Sequence, residues 1–240
     1  MDNKEQLITA CRLVRNGMLL EAIALFESFG KDSTSVNVWN SYGHALLEIE
    51  AYVGAEQAYR KARLTRTPRP ISNTRVGVAF WLQGRYPEAC ADWREELERI
   101  LTTDLRRFDS AALHFCALLW WAYRRLDLEA EWKTVLPRYK TARKLKSQQV
   151  DWYVALTNYA SDVIDLNDLM AEAVACGPYE QSDVLCQANY YIAGKCDHLL
   201  SEWKTHMYFA ASSPLADVVH LPEFHIAKYE LSRLNSLRII

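Results

Sequence analysis

The chain has 240 residues, half of them apolar, and a formal net charge of −2. This composition disfavours intrinsic disorder, because enough apolar residues are present for a long core, and the near-neutral charge disfavours a general nucleic-acid binder. Eight glycines and seven prolines are too few for an all-β protein with many tight turns.

The N-terminal residues 1–6 lack a basic region leading into an apolar stretch, so the sequence predicts no signal peptide. The longest uncharged and mostly apolar run, residues 111–123, is shorter than the ~18–20 residues that span a bilayer. We therefore expect a cytoplasmic protein without membrane insertion. The six cysteines contain no C-x2-C pair and lie in segments with helical patterns, which predicts reduced core residues.

A small residue followed four positions later by an aromatic residue occurs three times near the N-terminus. The pairs are Ala22 and Phe26, Ala55 and Tyr59, and Ala89 and Trp93, with spacings of 33 and 34 residues. Trp39-x2-Tyr42-Gly43 and Val76-Gly77-x2-Phe80 fall between the pairs at one common phase. We expect the alanines where two helices cross closely and the aromatic side chains between one helix pair and the next.

A fixed period near 34 residues, with small residues facing aromatic ones, resembles the tetratricopeptide repeat (TPR) family. The resemblance covers about residues 3–101, with helix breaks at Gly17, at Pro68 and Pro70, and at Gly84. It implies an all-α fold, a right-handed α-solenoid of helix–turn–helix repeats. Such repeats stack on their neighbours and leave an extended concave surface.

Beyond Thr103 the period decays, although helical patterns continue. We expect helices over 111–123, 128–136, 148–158, 165–175, 182–193 and 197–211, and a capping helix over 223–234 that Pro222 opens. Pro137 is expected to kink or restart the chain. The domain interpretation is three TPR repeats in residues 1–103, then divergent TPR-like helical repeats and a C-terminal capping helix in residues 104–240. Together they would form one continuous solenoid.

Catalytic signatures are absent from the sequence, which has no glycine-rich nucleotide motif, no H-E-x-x-H and no G-x-S-x-G. The six histidines never pair with a flanking carboxylate at metal-ligand spacing. Asp92, Glu95, Glu96 and Glu98 alternate with arginines around one amphipathic helix, which is typical of a solvated face. The sequence therefore predicts no enzyme, no cofactor and no metal site.

In the TPR family the first helix of each repeat lines the groove, so the resemblance implies a groove in this chain. The groove residues would be Asn37, Asn40, His44, Leu47, Thr74, Val78 and Trp81. The repeat phase puts Trp81 on the groove side, where an exposed tryptophan would anchor a partner. The clamp of lysine or arginine with asparagine that holds a chaperone tail in some members is not supported, because Leu7 and Cys11 occupy its first positions.

Charge is segregated in the second half of the chain. Residues 132–150 carry six basic side chains and no acidic one, whereas residues 147–194 carry seven acidic side chains and no lysine or arginine. An acidic face is predicted at Asp162, Asp165, Asp168 and Glu172. Such blocks either steer a charged partner or neutralise each other between adjacent solenoid turns.

The leading hypothesis is a non-catalytic protein–protein interaction scaffold, an adaptor or chaperone, that binds a segment of a partner protein or peptide in its concave groove. Two alternatives stay open. One is an immunity-type neutraliser of a basic toxin or effector that acts through the acidic face. The other is an enzyme with a site in the divergent C-terminal half. Nucleic acid is not expected as a partner, and a homo-oligomer is compatible with the sequence.

Overall fold

Helices form all the regular secondary structure in the computed structural model, which describes residues 3–30, 35–65, 74–102, 109–144, 152–176, 181–196, 200–212 and 221–236. Within these ranges there is no strand, and the all-α prediction is confirmed. The helices are α1 (Asn3–Arg15), α2 (Leu19–Gly30), α3 (Val36–Glu48), α4 (Tyr52–Leu64), α5 (Arg75–Leu82), α6 (Tyr86–Thr102), α7 (Asp109–Arg125), α8 (Glu129–Lys144), α9 (Trp152–Ala160), α10 (Leu166–Ala175), α11 (Gln181–Lys195), α12 (Leu200–Ala211) and α13 (Pro222–Ser236).

The chain divides into two compact units, Met1–Ala89 and Cys90–Ile240, and the boundary falls inside α6. In the first unit each helix from α1 to α4 packs on the next one along the chain. In the second unit α7, α9 and α11 pack against one another, and α8, α10 and α12 each pack on the preceding helix. The helix α13 packs on α11 and α12.

The repeated small and aromatic residues are buried, as their role in packing requires. Ala22, Ala55, Ala89, Phe26, Tyr59 and Trp93 are all at most 1% exposed. Gly43 of α3 lies directly against the ring of Tyr59, since a Cβ atom added there would come within 2.7 Å of the ring Cζ. The glycine therefore allows a close approach that a larger residue would prevent.

The same type of turn joins the two helices in each of five successive pairs: α1–α2, α3–α4, α5–α6, α7–α8 and α9–α10. Its central residue has positive φ and is Gly17 (74°), Glu50 (61°), Gly84 (74°), Asp127 (56°) or Asp162 (56°). In each case this residue donates its amide to the carbonyl three residues back, and the next residue donates to the carbonyl five residues back. These two bonds define the Schellman motif, which satisfies the last carbonyls of the first helix. The helical hairpin thus continues past the region where the sequence period is visible.

The core of the second unit is rich in aromatic residues. The rings of Trp121 and Tyr190 stack with centroids 4.6 Å apart. Gly194, in the last turn of α11, lies against two indoles, because an added Cβ would be 2.7 Å from Trp121 Cδ1 and 3.2 Å from Trp120 Cζ3. Close packing of α11 on α7 therefore depends on the absence of a side chain at Gly194.

Two expectations about individual residues need correction. Of the two effects expected at Pro137, a restart of the chain is wrong, because the helix α8 continues through this proline to Lys144. Asp92 and Glu96 are buried, whereas Glu95 is exposed, so the acidic cluster of α6 is not simply a solvated face. Glu96 is compensated by Arg99, which donates to Glu96 Oε2 at 2.6 Å.

Candidate functional site

A cleft of about 630 Å³ lies in the second unit beside the turn that joins α9 and α10. We call it the indole cleft, because two tryptophans line it. The side chains that give it its chemical character are Trp120, Arg124, Trp132, Lys133, Asp162 and Lys195. They come from α7, α8, the α9–α10 turn and α11, so the cleft exists only when this unit is folded.

Asp162 and Lys195 meet in the middle of the lining. Lys195 Nζ donates to Asp162 Oδ1 at 2.5 Å, and the same ammonium lies 4.1 Å from the ring centroid of Tyr159. Burial raises the pKa of Tyr159 to about 12, with Cys196 and Asp162 adding to the shift and Arg124 opposing it. The phenol is therefore protonated at neutral pH, and Lys195 is held by one carboxylate and one neutral ring.

Indole rings and positive charge occur together at the α7–α8 end of the cleft. Arg124 donates from Nε to the carbonyl oxygen of Gly194 at 3.0 Å, and its guanidinium carbon lies 5.7 Å from the ring of Trp120. Trp120 is 3% exposed, so little of its ring is accessible, whereas Trp132 is partly exposed. Lys133 is exposed on the same helix as Trp132. An anionic or aromatic group would be favoured here.

A second cleft of about 560 Å³ adjoins the first and shares Asp162, Val163 and Lys195 with it. We call it the α10 cleft, because it extends over the first turn of α10, where Asp165 and Asp168 line it. Its apolar side chains are accessible, since Val163 is 53% exposed and Leu166 is 42% exposed. Covering such side chains would stabilise a complex by the hydrophobic effect.

Most of the groove residues predicted from the repeat phase are buried. Val78 and Trp81 are at most 1% exposed, Leu47, His44 and Thr74 are nearly buried, Asn40 is partly exposed and Asn37 is exposed. The Tyr59 hydroxyl lies 3.2 Å from His44 Nδ1, so this histidine has a partner within the first unit. As a set, these residues expose little surface to a partner.

Trp81 is a core residue rather than a surface anchor. Its ring centroid lies 4.6 Å from that of Tyr86, and every residue of α5 from Val76 to Leu82 is buried. A helix that is apolar all round is typically enclosed by protein. The signal was present in the sequence, because the segment Val76–Leu82 contains no polar side chain.

The predicted acidic face is on the surface, but three of its four carboxylates have partners within the chain. Asp165 is the N-cap of α10, where its Oδ1 accepts from the Asp168 amide at 2.9 Å, and Asp168 Oδ2 accepts from the Asp165 amide at 3.4 Å. Asp162 is paired with Lys195. Asp162, Asp165 and Asp168 are exposed, and Glu172 is partly exposed. Three of these four acids therefore have a structural role as well as a charge.

Of the six basic side chains in residues 132–150, the structure describes one. Lys133 is exposed and lines the indole cleft. The side chains of Arg138, Lys140, Arg143 and Lys144, together with Lys146, lie outside the described residues.

Sequence reasoning missed a buried polar cluster around α13. Oε1 of the fully buried Glu223 lies 2.8 Å from His114 Nε2, accepts from the Tyr191 hydroxyl at 3.1 Å and accepts from Gln187 Nε2 at 3.3 Å. Burial by itself would raise the pKa of Glu223, but His114 and the hydrogen bonds outweigh it and lower the pKa. The ionised carboxylate thus ties α13 to α7 and α11 in the core.

Comparison of the sequence with models of known protein families and with curated protein sequences gave no match. Among the described residues, no group of three or more histidine, cysteine, aspartate or glutamate side chains is arranged to hold a metal ion. In the same part of the chain, no helix is both long enough and apolar enough to cross a membrane. The resemblance to TPR proteins therefore depends on the repeat pattern of this chain.

Proposed function

We propose that this chain is a non-catalytic, cytoplasmic protein–protein interaction module of TPR type, an adaptor or chaperone, whose helical pairs stack as a solenoid. The recurrence of one Schellman turn in five helix pairs supports a repeat architecture. The packing of α7, α9 and α11 on one another supports stacking of successive pairs within the second unit.

The observation that carries the binding proposal is the pair of adjoining clefts in the second unit. They combine a partly exposed tryptophan, exposed aliphatic side chains and both signs of charge on packed helices. Aromatic anchors surrounded by polar groups are what a protein segment needs in order to dock. We therefore place partner binding in these clefts and not around Trp81.

The test is a selection of binding peptides. A random peptide display library is screened against the immobilised full chain, and the affinities of enriched peptides are measured by fluorescence anisotropy for the wild-type chain and for Trp132→Ala. Loss of an interface tryptophan typically removes about 2 kcal/mol of binding free energy or more, so binding should weaken at least about thirtyfold.

The matched control is Tyr208→Ala, which removes an exposed aromatic side chain on α12 that lines neither cleft. It should leave the affinities unchanged, and circular dichroism should show the same helicity for all three proteins. Failure to enrich any peptide, or equal binding by Trp132→Ala, would contradict the proposed function at this site.

A further inference from the structure

We propose that the segment bound in the two clefts is extended and carries opposite charges on the two sides of an apolar centre. Its acidic side would lie at Lys133 and Arg124, and its basic side at Asp165 and Asp168. This inference rests on the proposed function and specifies the chemistry of the partner.

The two ends of the joined clefts differ in charge. At the α7–α8 end, Arg124 and Lys133 face one acidic residue, Glu129. Glu129 lies in the first turn of α8, where the helix dipole favours a negative charge. At the α10 end, Asp165 and Asp168 line the cleft together with Lys195, and the described lining residues there include no other cation. Two cations against one carboxylate at one end, and two carboxylates at the other, give the clefts opposite polarity.

The middle of the joined clefts is close to neutral. Lys195 is bonded to Asp162, and both residues line both clefts, so their charges compensate each other. Val163, which is also shared, and Leu166 offer exposed aliphatic surface beside this pair. A bound segment would therefore meet positive charge, then an apolar and neutral stretch, and then negative charge.

The carboxylates of the α10 end remain able to accept hydrogen bonds from a ligand. The capping interactions use one oxygen of Asp165 and one of Asp168, and an ionised carboxylate has two oxygens with about four lone-pair sites. A lysine or arginine of the partner can pair with the second oxygens. A partner of uniform charge would be repelled at one of the two ends.

The experiment determines where acidic and basic residues lie in the sequences of the peptides that the library selection enriches. Wild-type protein should enrich peptides with acidic residues on one side of an apolar centre and basic residues on the other. Two synthetic peptides of equal composition then isolate the effect of charge segregation on affinity. One peptide has three glutamates, Leu-Trp-Leu and three lysines, and the other has the same composition with the charges alternating. The segregated peptide should bind about two- to fivefold more tightly for each charged end, which is the range for exposed charge pairs.

Protein variants test how much each end of the joined clefts contributes to the preference for the segregated peptide. Lys133→Glu reverses one charge at the basic end, and the double variant Asp165→Asn with Asp168→Asn neutralises the acidic end while keeping side chains that can cap α10. Each should remove the roughly two- to fivefold share of its own end and leave that of the other end, whereas 0.5 M salt should remove most of the preference at both ends, because exposed charges are screened. The control Lys4→Glu makes the same charge change on α1 of the first unit and should keep the preference.

The outcomes separate the two proposals. Enriched peptides that need Trp132 but show no charge segregation, or equal affinity for the segregated and alternating peptides, would overturn this inference and leave the proposed function standing. Failure to enrich any peptide would overturn both.

Discussion

Nε2 of His114 lies 2.8 Å from Oε1 of Glu223, and this contact joins the middle of α7 to the first turn of α13. Glu223 is fully buried, and Arg125 of α7 donates to a second buried acid of α13, Glu230, at 3.1 Å. The last described helix is therefore fixed to the core by buried charge as well as by apolar packing. Removing the basic member of either contact would leave a buried carboxylate with less compensation, since the carboxylates of Glu223 and Glu230 are at most 1% exposed.

Glu223→Gln should lower the free energy of unfolding by about 1.5–3 kcal/mol at neutral pH, because His114, Tyr191 and Gln187 lose a charged hydrogen-bond acceptor. The folded pKa of Glu223 lies below its unfolded value near 4.5. Its contribution is therefore present above pH 4.5 and is lost as the pH falls through the lower folded pKa. Urea unfolding between pH 7 and pH 3 should show the gap between wild type and variant closing on acidification. A gap that stays constant would contradict this assignment, and Glu202→Gln, an exposed change on α12, is the control.

Trp81→Ala should lower the melting temperature and not act selectively on binding. The side chain is fully buried, and truncating a buried tryptophan typically costs about 3–5 kcal/mol of unfolding free energy. Thermal unfolding followed by circular dichroism measures the change. A variant with unchanged stability and abolished peptide binding would instead support the groove expected from the repeat phase.

Gly43→Ala and Gly54→Ala form a matched pair on neighbouring helices of the first unit. At Gly43 the new methyl group would press on the buried ring of Tyr59, and overpacking of this kind costs about 1–3 kcal/mol. At Gly54 the nearest atom is Leu46 Cδ1 at 3.3 Å, the end of a side chain that can adjust. Alanine is the better helix former by up to about 1 kcal/mol, so Gly54→Ala should be neutral or stabilising. Denaturant midpoints that rank the two variants the other way round would refute the close helix approach.

Asp165→Ala should destabilise the second unit by about 1 kcal/mol through loss of the α10 N-cap, whereas Asp165→Asn should have little effect on stability. Both variants remove the charge, so the difference between them isolates the cap. Denaturant unfolding of the two proteins provides the measurement. Equal destabilisation would show that the carboxylate contributes through its charge and not through the capping box.

The repeat pattern predicted the helices and the buried small and aromatic residues of the first three pairs, because those positions are determined by local packing. The period decays in the region of Asp127 and Asp162, where the small and aromatic pairs are no longer spaced regularly and the turn is made without glycine. Glu50 shows the same replacement within the clear repeats. The turn is defined by backbone hydrogen bonds, and a residue of another type can occupy its left-handed position at a cost, so glycine spacing underestimates the number of turns.

The candidate site was much less predictable than the helices. Repeat phase gives the side of α5 on which Trp81 lies, but it does not show what else packs on that side, and the structure buries the whole helix. The residues of the indole cleft are separated by up to 75 positions, from Trp120 to Lys195, and only tertiary packing brings them together. One signal was available, since Trp120 and Trp132 flank the α7–α8 turn on both sides.

The left-handed backbone at Asp162 sets backbone strain against a charge that lines both clefts. A residue other than glycine in this conformation costs roughly 1–2 kcal/mol, and the same turn is made by glycine at Gly17 and Gly84. Glycine at position 162 would therefore relax the turn, but it would leave Lys195 without its carboxylate at the point shared by the two clefts. The chain accepts local strain where it keeps a charge at the clefts, and a variant selected for thermal stability alone would be expected to discard that charge.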